Sequence, residues 1–295
     1  MRSGGVRRLR RRGLPAALLL VAALVLAGCG TGTAGARALR AAGGASVLDD
    51  AAALEAAGVA RLRPQVLAAV PHDRTAFTQG LELTADASTL VEGTGRTGRS
   101  QLRELDPATG ALRRAADLPR EVFGEGVTVL GDRIWQLTWQ DGVVYDRDPT
   151  TLAVRRTLPL EREGWGVCHD GTRLISSDGS ADLVIRDPAS FAPRATVPVR
   201  AAGVPVENLN ELECTPDGVW ANVWQTDDIV RIDPTTGRVT AVVDAAGLLP
   251  AAEREGADVL NGVAAVPGTD QFLLTGKLWP TLFRVRFVPA WAAAG

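Results

Sequence analysis

The sequence predicts an all-β protein, a five-bladed β-propeller closed by an N-terminal strand. The first observation is a repeat of about 45 residues that organises the chain after residue 65. Asp-Pro followed by small turn residues recurs at Asp106, Asp148, Asp187 and Asp233, in steps of 42, 39 and 46 residues. A second marker opens a short apolar strand at Gln79-Gly80-Leu81, Glu125-Gly126-Val127, Trp165-Gly166-Val167, Asn210-Glu211-Leu212 and Asn261-Gly262-Val263. A turn before a second strand follows at Gly131-Asp132, Asp170-Gly171 and Asp217-Gly218. The second observation is strand-like alternation between these markers, as in Arg133-Ile-Trp-Gln-Leu-Thr-Trp139 and Gly218-Val-Trp-Ala-Asn-Val-Trp224. Helical periodicity is weak after residue 66, apart from a short turn over residues 248–255. Four short strands in about 40–45 residues is the spacing of a propeller blade, and five repeats fit residues 66–288. The third observation concerns closure. The last repeat ends one strand short, and an extra strand-like run at residues 66–70 can complete it and cover its edge.

Ahead of the repeats, residues 1–28 read as a lipoprotein-type signal peptide. Arg2, Arg7, Arg8, Arg10, Arg11 and Arg12 precede an apolar run over residues 14–26, a secretory layout too short for a confident membrane span. The run ends in Leu26-Ala27-Gly28-Cys29, which resembles a bacterial lipobox and makes Cys29 the expected lipid attachment point. An ordinary signal cut at a small-residue site is the alternative. The expected location is the bacterial cell envelope, as an exported lipoprotein that meets the membrane through its lipid anchor only. Residues 29–65 are expected to form a flexible tether, most plainly from Gly30 to about Ser46, where Gly, Ala and Thr dominate. The propeller domain is expected over residues 66–290.

Composition narrows the function classes. The 295 residues are 46% hydrophobic, too apolar for a disordered chain, and the formal charge of -2 gives no basic stripe for nucleic acid. Cleavage before Cys29 would leave 26 basic and 34 acidic residues, a formal charge of -8. All basic residues but one are arginine, so Lys277 stands out. With Cys29 lipidated, Cys168 and Cys214 remain at similar offsets in successive repeats. In an oxidising compartment they either bond to each other or lie separately buried.

Blade geometry places the unusual residues together. The innermost strand lines the channel and the second returns antiparallel, so first-strand starts and second-strand ends share one mouth. The starts supply Phe77, Gln79, Phe123, Glu125, Trp165, Asn210 and Asn261; the ends supply Trp139, Asp178, Trp224 and Lys277. Apolar walls with a few convergent polar groups describe a small-molecule site. Trp135 and Trp220, four residues before Trp139 and Trp224, are expected to share their face. Asp178 and Asp227 read as turn or blade-to-blade hydrogen-bonding residues, and His72 as structural.

The motifs His72-Asp-Arg-Thr-Ala-Phe-Thr-Gln-Gly80, Phe123-Gly-Glu-Gly126, Asn208-Leu-Asn-Glu-Leu-Glu213, Trp220-Ala-Asn-Val-Trp-Gln-Thr-Asp227 and Thr275-Gly-Lys-Leu-Trp-Pro280 occur in that order. Together with Trp165-Gly166 and Val259-Leu-Asn-Gly262, they resemble the plant and bacterial glutaminyl-peptide cyclotransferases of the papaya-latex type, over roughly residues 66–288. The resemblance implies a five-bladed propeller acting on a peptide or protein N-terminus that bears glutamine. The α-amine attacks the side-chain amide, ammonia leaves and pyroglutamate remains. Residue type, position and motif match assign Glu125 as acid/base, and Lys277 and Asn210 as donors to the amide oxygen. Phe77, Phe123, Trp139, Trp165 and Trp224 are the expected pocket walls. Gln79 and Asn261 line the channel mouth, where they either hold substrate or satisfy neighbouring groups.

No cofactor is expected. His72 and His169 are the only histidines and show no metal-ligand spacing, so zinc is not anticipated, whereas a structural calcium in the channel stays open. The rival reading is a non-catalytic exported propeller that binds a peptide or sugar at its central rim.

Overall fold

The computed structural model describes residues 46–290. The expected signal peptide, the Cys29 lipid site and the tether through residue 45 lie outside the described residues. From residue 47 the chain is folded, which corrects the tether boundary expected at residue 65. A 3-10 turn (Val47–Asp49) leads into helix α1 (Ala51–Ala56), capped by the Asp50 side chain, which accepts a hydrogen bond from the Ala53 amide at 3.0 Å. The reason is apolar. Leu48, Leu54 and Val59 are buried in a core cluster that also holds Ile175, Leu212 and Val230, so the segment packs despite its alanine-rich composition.

The remainder is built from strands. Strand β1 (Ala60–Pro71) is followed by a four-stranded sheet of β2 (Thr78–Leu83), β3 (Leu90–Thr94), β4 (Gln101–Leu105) and β5 (Leu112–Asp117). A second contains β6 (Gly124–Leu130), β7 (Arg133–Thr138), β8 (Val143–Arg147) and β9 (Val154–Pro159). A third contains β10 (Val167–His169), β11 (Leu174–Ser176), β12 (Asp182–Arg186) and β13 (Pro193–Pro198). A short hairpin of β14 (Arg200–Ala201) and β15 (Val204–Pro205) leads to β16 (Leu209–Thr215), β17 (Gly218–Val223), β18 (Asp228–Ile232) and β19 (Val239–Asp244). The last strands are β20 (Leu260–Ala265), β21 (Gln271–Gly276) and β22 (Thr281–Pro289).

The all-β class holds, but the last two groups do not form separate sheets. They join in one eight-stranded sheet, ordered β16-β17-β18-β19-β1-β22-β21-β20. The join comes from β1, which is longer than the strand expected at residues 66–70. Ala60–Leu62 pairs in parallel with Ala241–Val243 of β19, while Leu62 to Pro71 runs antiparallel along β22. The N-terminal strand therefore covers the β22 edge, as the repeat arithmetic required.

The first strands of successive groups touch in order: β2 meets β6, β6 meets β10, β10 meets β16, β16 meets β20, and β20 returns to β2. Glycine makes the approach close enough. A Cβ on Gly126 would stand 2.6 Å from the Trp165 carbonyl oxygen and 2.9 Å from the Gly166 Cα. One on Gly166 would fall within van der Waals radii of the Asn210 carbonyl. At Gly126 and Gly166, each following a marker residue, neighbouring backbones thus meet. Cys168 on β10 and Cys214 on β16 are disulfide-bonded, with Cα atoms 5.4 Å apart, so a covalent bond ties two adjacent first strands. No helix among the described residues is long and apolar enough to cross a membrane.

Candidate active site

Glu125 lies in β6, at the start of a first strand, and is buried. Gln79 of β2 donates from Nε2 to Glu125 Oε1 at 3.0 Å. Asn261 of β20 donates in turn to Gln79 Oε1 at 3.2 Å and to the Thr78 carbonyl at 3.1 Å. Side chains from three first strands thus form one relay across the ring, with the Glu125 carboxyl at its end. Burial pushes that carboxyl well above its ordinary pKa; the Lys277 charge opposes the shift and the Glu163 charge adds to it.

Lys277 immediately follows β21, in a turn pinned by backbone bonds. Its amide donates to the Val259 carbonyl at 2.9 Å, and the next amide, Leu278, donates to the Ala76 carbonyl at 2.7 Å. Leu278 has φ 61°, the left-handed region that costs any side chain but glycine's, so the turn is held in a strained form by its neighbours. It directs Lys277 inward, with Nζ 4.9 Å from the centroid of the Phe77 ring. Burial lowers the Lys277 pKa, and the Glu125 and Asp258 charges only partly oppose it. The site thus contains a carboxyl pushed towards its neutral form and an ammonium less basic than usual.

The expected aromatic walls assemble in two runs. Phe77 packs edge-on to Phe123 at 6.2 Å, and Phe123 to Trp139 at 5.7 Å. Separately, Trp165 packs edge-on to Trp224 at 5.5 Å. Asn210 of β16 lies beside the second run: Ser177 Oγ accepts from the Gly166 amide at 2.8 Å and donates to the Asn210 carbonyl at 2.6 Å. The Asn210 side-chain oxygen is buried without a hydrogen-bond partner among the described residues, an unmet polar group at the channel.

Two expectations about tryptophan need correction. Trp135 and Trp220 do not share the face of Trp139 and Trp224. Trp135 is fully buried against Phe191, 5.1 Å away, and Trp220 packs on Phe272 at 5.3 Å. Strands β7 and β17 end at Thr138 and Val223, so Trp139 and Trp224 lie one residue beyond the alternation. Asp178 matches its expected turn role, accepting from Ser180 and pairing with Arg162 at 2.9 Å. His72 is structural, as expected, bonded to the Trp279 carbonyl at 2.9 Å and to Glu92 at 3.0 Å.

Sequence reasoning missed Glu163. Its carboxylate accepts from Trp139 Nε1 at 2.8 Å, Trp165 Nε1 at 3.0 Å and Gln140 Nε2 at 2.6 Å. Its only sequence signal is position, two residues before Trp165 at the entry to a first strand. Arg96 was missed too; its guanidinium lies 4.6 Å from the Phe77 ring centroid, in a loop carrying no repeat marker.

A cavity of about 630 Å³ lies at the other ends of the first strands, lined by Glu82, His169, Glu213, Trp220 and the disulfide. Glu125 and Lys277 are not among its lining residues. Among the described residues no cluster of three or more His, Cys, Asp or Glu side chains is arranged to hold a metal ion.

This geometry can be set beside known proteins. A curated glutaminyl-peptide cyclotransferase of Arabidopsis thaliana is 39% identical over 238 residues, covering 78% of this chain and 73% of the relative. The crystal structure of Myxococcus xanthus glutaminyl cyclase superposes with a TM-score of 0.73 at 36% identity, covering 79% of this chain and 99% of that one. A sequence model described as glutamine cyclotransferase matches residues 38–287, most of the chain. A buried carboxyl, an inward lysine and an aromatic wall are thus found within a match that spans nearly all of the strand region, and the chain belongs to the glutamine cyclotransferase family.

Proposed function

We infer that this protein converts the N-terminal glutamine of peptides or proteins to pyroglutamate with release of ammonia. The observation that carries this reading is the buried Glu125 carboxyl, raised in pKa, linked through Gln79 to Asn261 and electrostatically coupled to Lys277. In the proposed reaction the substrate α-nitrogen forms a bond to the side-chain amide carbon. Glu125, in its ionised form, takes the proton lost by that nitrogen and delivers it to the departing amide nitrogen as the carbon–nitrogen bond breaks. Lys277 and Asn210 donate to the amide oxygen as it gains negative charge. Phe77, Phe123, Trp139, Trp165 and Trp224 enclose the glutaminyl side chain so that amine and amide stay in contact.

The five groups of strands are, on this reading, the blades of a propeller, the eight-stranded sheet counting as two blades bridged by the β1–β19 pairing. The cyclic contact of the five first strands supports that count. The proposed setting is the cell envelope, with the exported domain anchored through a lipid on Cys29 and no other membrane contact. Proton transfer and oxyanion donation are both assigned to side chains, so the activity is expected to persist in a strong chelator. The deciding experiment incubates purified protein with a glutamine-initiated peptide and follows ammonia and peptide mass. Cyclisation matching the ammonia released supports the reading, whereas binding without turnover favours a non-catalytic rim.

A further inference from the structure

The five wall aromatics fall into two runs, Phe77–Phe123–Trp139 and Trp165–Trp224, built on different groups of strands. Glu163 joins them. One carboxylate oxygen accepts from both indole N–H groups, Trp139 at 2.8 Å and Trp165 at 3.0 Å, while the other accepts from Gln140 at 2.6 Å. The backbone repeats the join: the Gly164 amide donates to the carbonyls of Thr138 and Trp139, at 3.1 and 3.0 Å. Indole N–H groups only donate, so one carboxylate oxygen can serve both rings, as no apolar contact would.

We propose that Glu163 is a positioning residue for the cyclisation, its carboxylate clamping Trp139 to Trp165 so that two aromatic runs form one substrate wall. The inference rests on the cyclotransferase reading above. A second consequence follows from charge. Burial works against ionisation of Glu163, but the bonds from Gln140, Trp165 and Trp139 outweigh it and hold the group below its ordinary pKa. The resulting negative charge makes Glu125 harder to ionise, while Lys277 works in the opposite sense. Around Glu163 itself, Asp178 adds negative charge and is paired with Arg162 at 2.9 Å. Glu163 therefore touches the chemistry only through its neighbours, shaping the wall and keeping the acid/base group protonated to higher pH.

The test compares the full-length wild type, Glu163→Gln and Glu163→Ala across a pH series with a glutamine-initiated peptide. Glu163→Gln keeps the shape and one acceptor oxygen but loses the charge. It is expected to hold KM within about threefold while the acidic limb of the kcat profile moves down by about half a pH unit or more. Glu163→Ala is expected to show the same shift and, with the clamp gone, a KM about tenfold higher. A wall residue without electrostatic reach would leave the limb in place. An active wild type whose two variants share its KM and its acidic limb would overturn this inference alone. An inactive wild type would overturn the cyclotransferase reading and this inference with it. Should the alanine variant fail to fold, Glu163→Leu, which fills the space but accepts no hydrogen bond, takes its place: a KM about tenfold higher supports the clamp and a wild-type KM overturns it.

Discussion

Glu125 is buried at low exposure, yet the chemistry assigned to it requires a charge there for part of each cycle. Burial raises its pKa, so in the folded state it keeps a proton that the unfolded chain has already lost above the ordinary value of 4.5. A raised folded-state pKa means that its contribution to stability is complete below the unfolded value and is lost as pH rises through the folded one. Glu125→Gln is therefore expected to abolish most turnover, by about 10²–10⁴-fold, while melting higher than wild type at about pH 8 and nearly alike at about pH 5. Calorimetry at the two pH values with a single activity assay separates lost chemistry from lost fold. Lys277 gives the complementary prediction. A guanidinium is planar and broad, and the position is buried against the Phe77 ring, so Lys277→Arg is expected to lose about 10²-fold in kcat with a smaller change in KM. Full activity in steady-state assays would remove the ammonium from the reaction. Both residues were legible beforehand, Glu125 between two glycines at a strand start and Lys277 as the lone lysine of an arginine-rich chain. Glu163 was not, because its partners Trp139 and Trp165 become neighbours only when two groups of strands meet.

Among the elements, the turn that carries Lys277 depends on a buried charge network at its base. His72 offers one ring nitrogen to the Trp279 carbonyl and the other to Glu92, so both nitrogens face acceptors and the protonated ring satisfies both. Glu92 also accepts from Thr78 at 2.7 Å and faces Arg103 at 3.3 Å, which pairs with Asp73 at 2.8 Å. Burial alone would lower the His72 pKa, but Glu92 and the Trp279 carbonyl raise it overall; for Glu92, burial is outweighed by His72, Arg103 and Thr78. The raised His72 stabilises fully below its unfolded value of 6.5, and the lowered Glu92 fully above 4.5. His72→Gln is accordingly expected to lower the melting temperature most between about pH 5 and pH 6.5 and progressively less on the alkaline side. A deficit independent of pH in thermal melts would show that only shape matters there. The strand pattern itself could be read from the chain, because Gly80, Gly126 and Gly166 mark close approaches of first strands. The exact sheet count could not: whether β1 stops at β22 or reaches β19 turns on Ala60, Arg61 and Leu62, which carry no repeat marker.

For the molecule as a whole, closure depends on β1, which joins the start of the chain to its last strands. Without it, β22 would present from Thr281 to Pro289 an unpaired edge that carries Phe283, Val285 and Phe287. An exposed apolar edge strand is a template for another chain. The segment before β1 contributes differently, through Leu48, Leu54 and Val59 in the core, and leaves no edge when removed. These two roles can be separated by truncation. A chain beginning at Ala60 keeps β1 and is expected to keep the full chain's association state and activity, with a lower melting temperature from the lost apolar burial, about 1.5–3 kcal/mol for each fully buried large side chain. A chain beginning at His72 loses β1 and is expected to self-associate at micromolar concentration and to lose cooperative melting, since β19 and β22 are then no longer bridged. Size-exclusion chromatography with light scattering reads the first effect and calorimetry the second. If the His72 start were monomeric with a wild-type melt, closure would reside in the first-strand contacts and the disulfide between Cys168 and Cys214, and β1 would be a cover rather than a clasp.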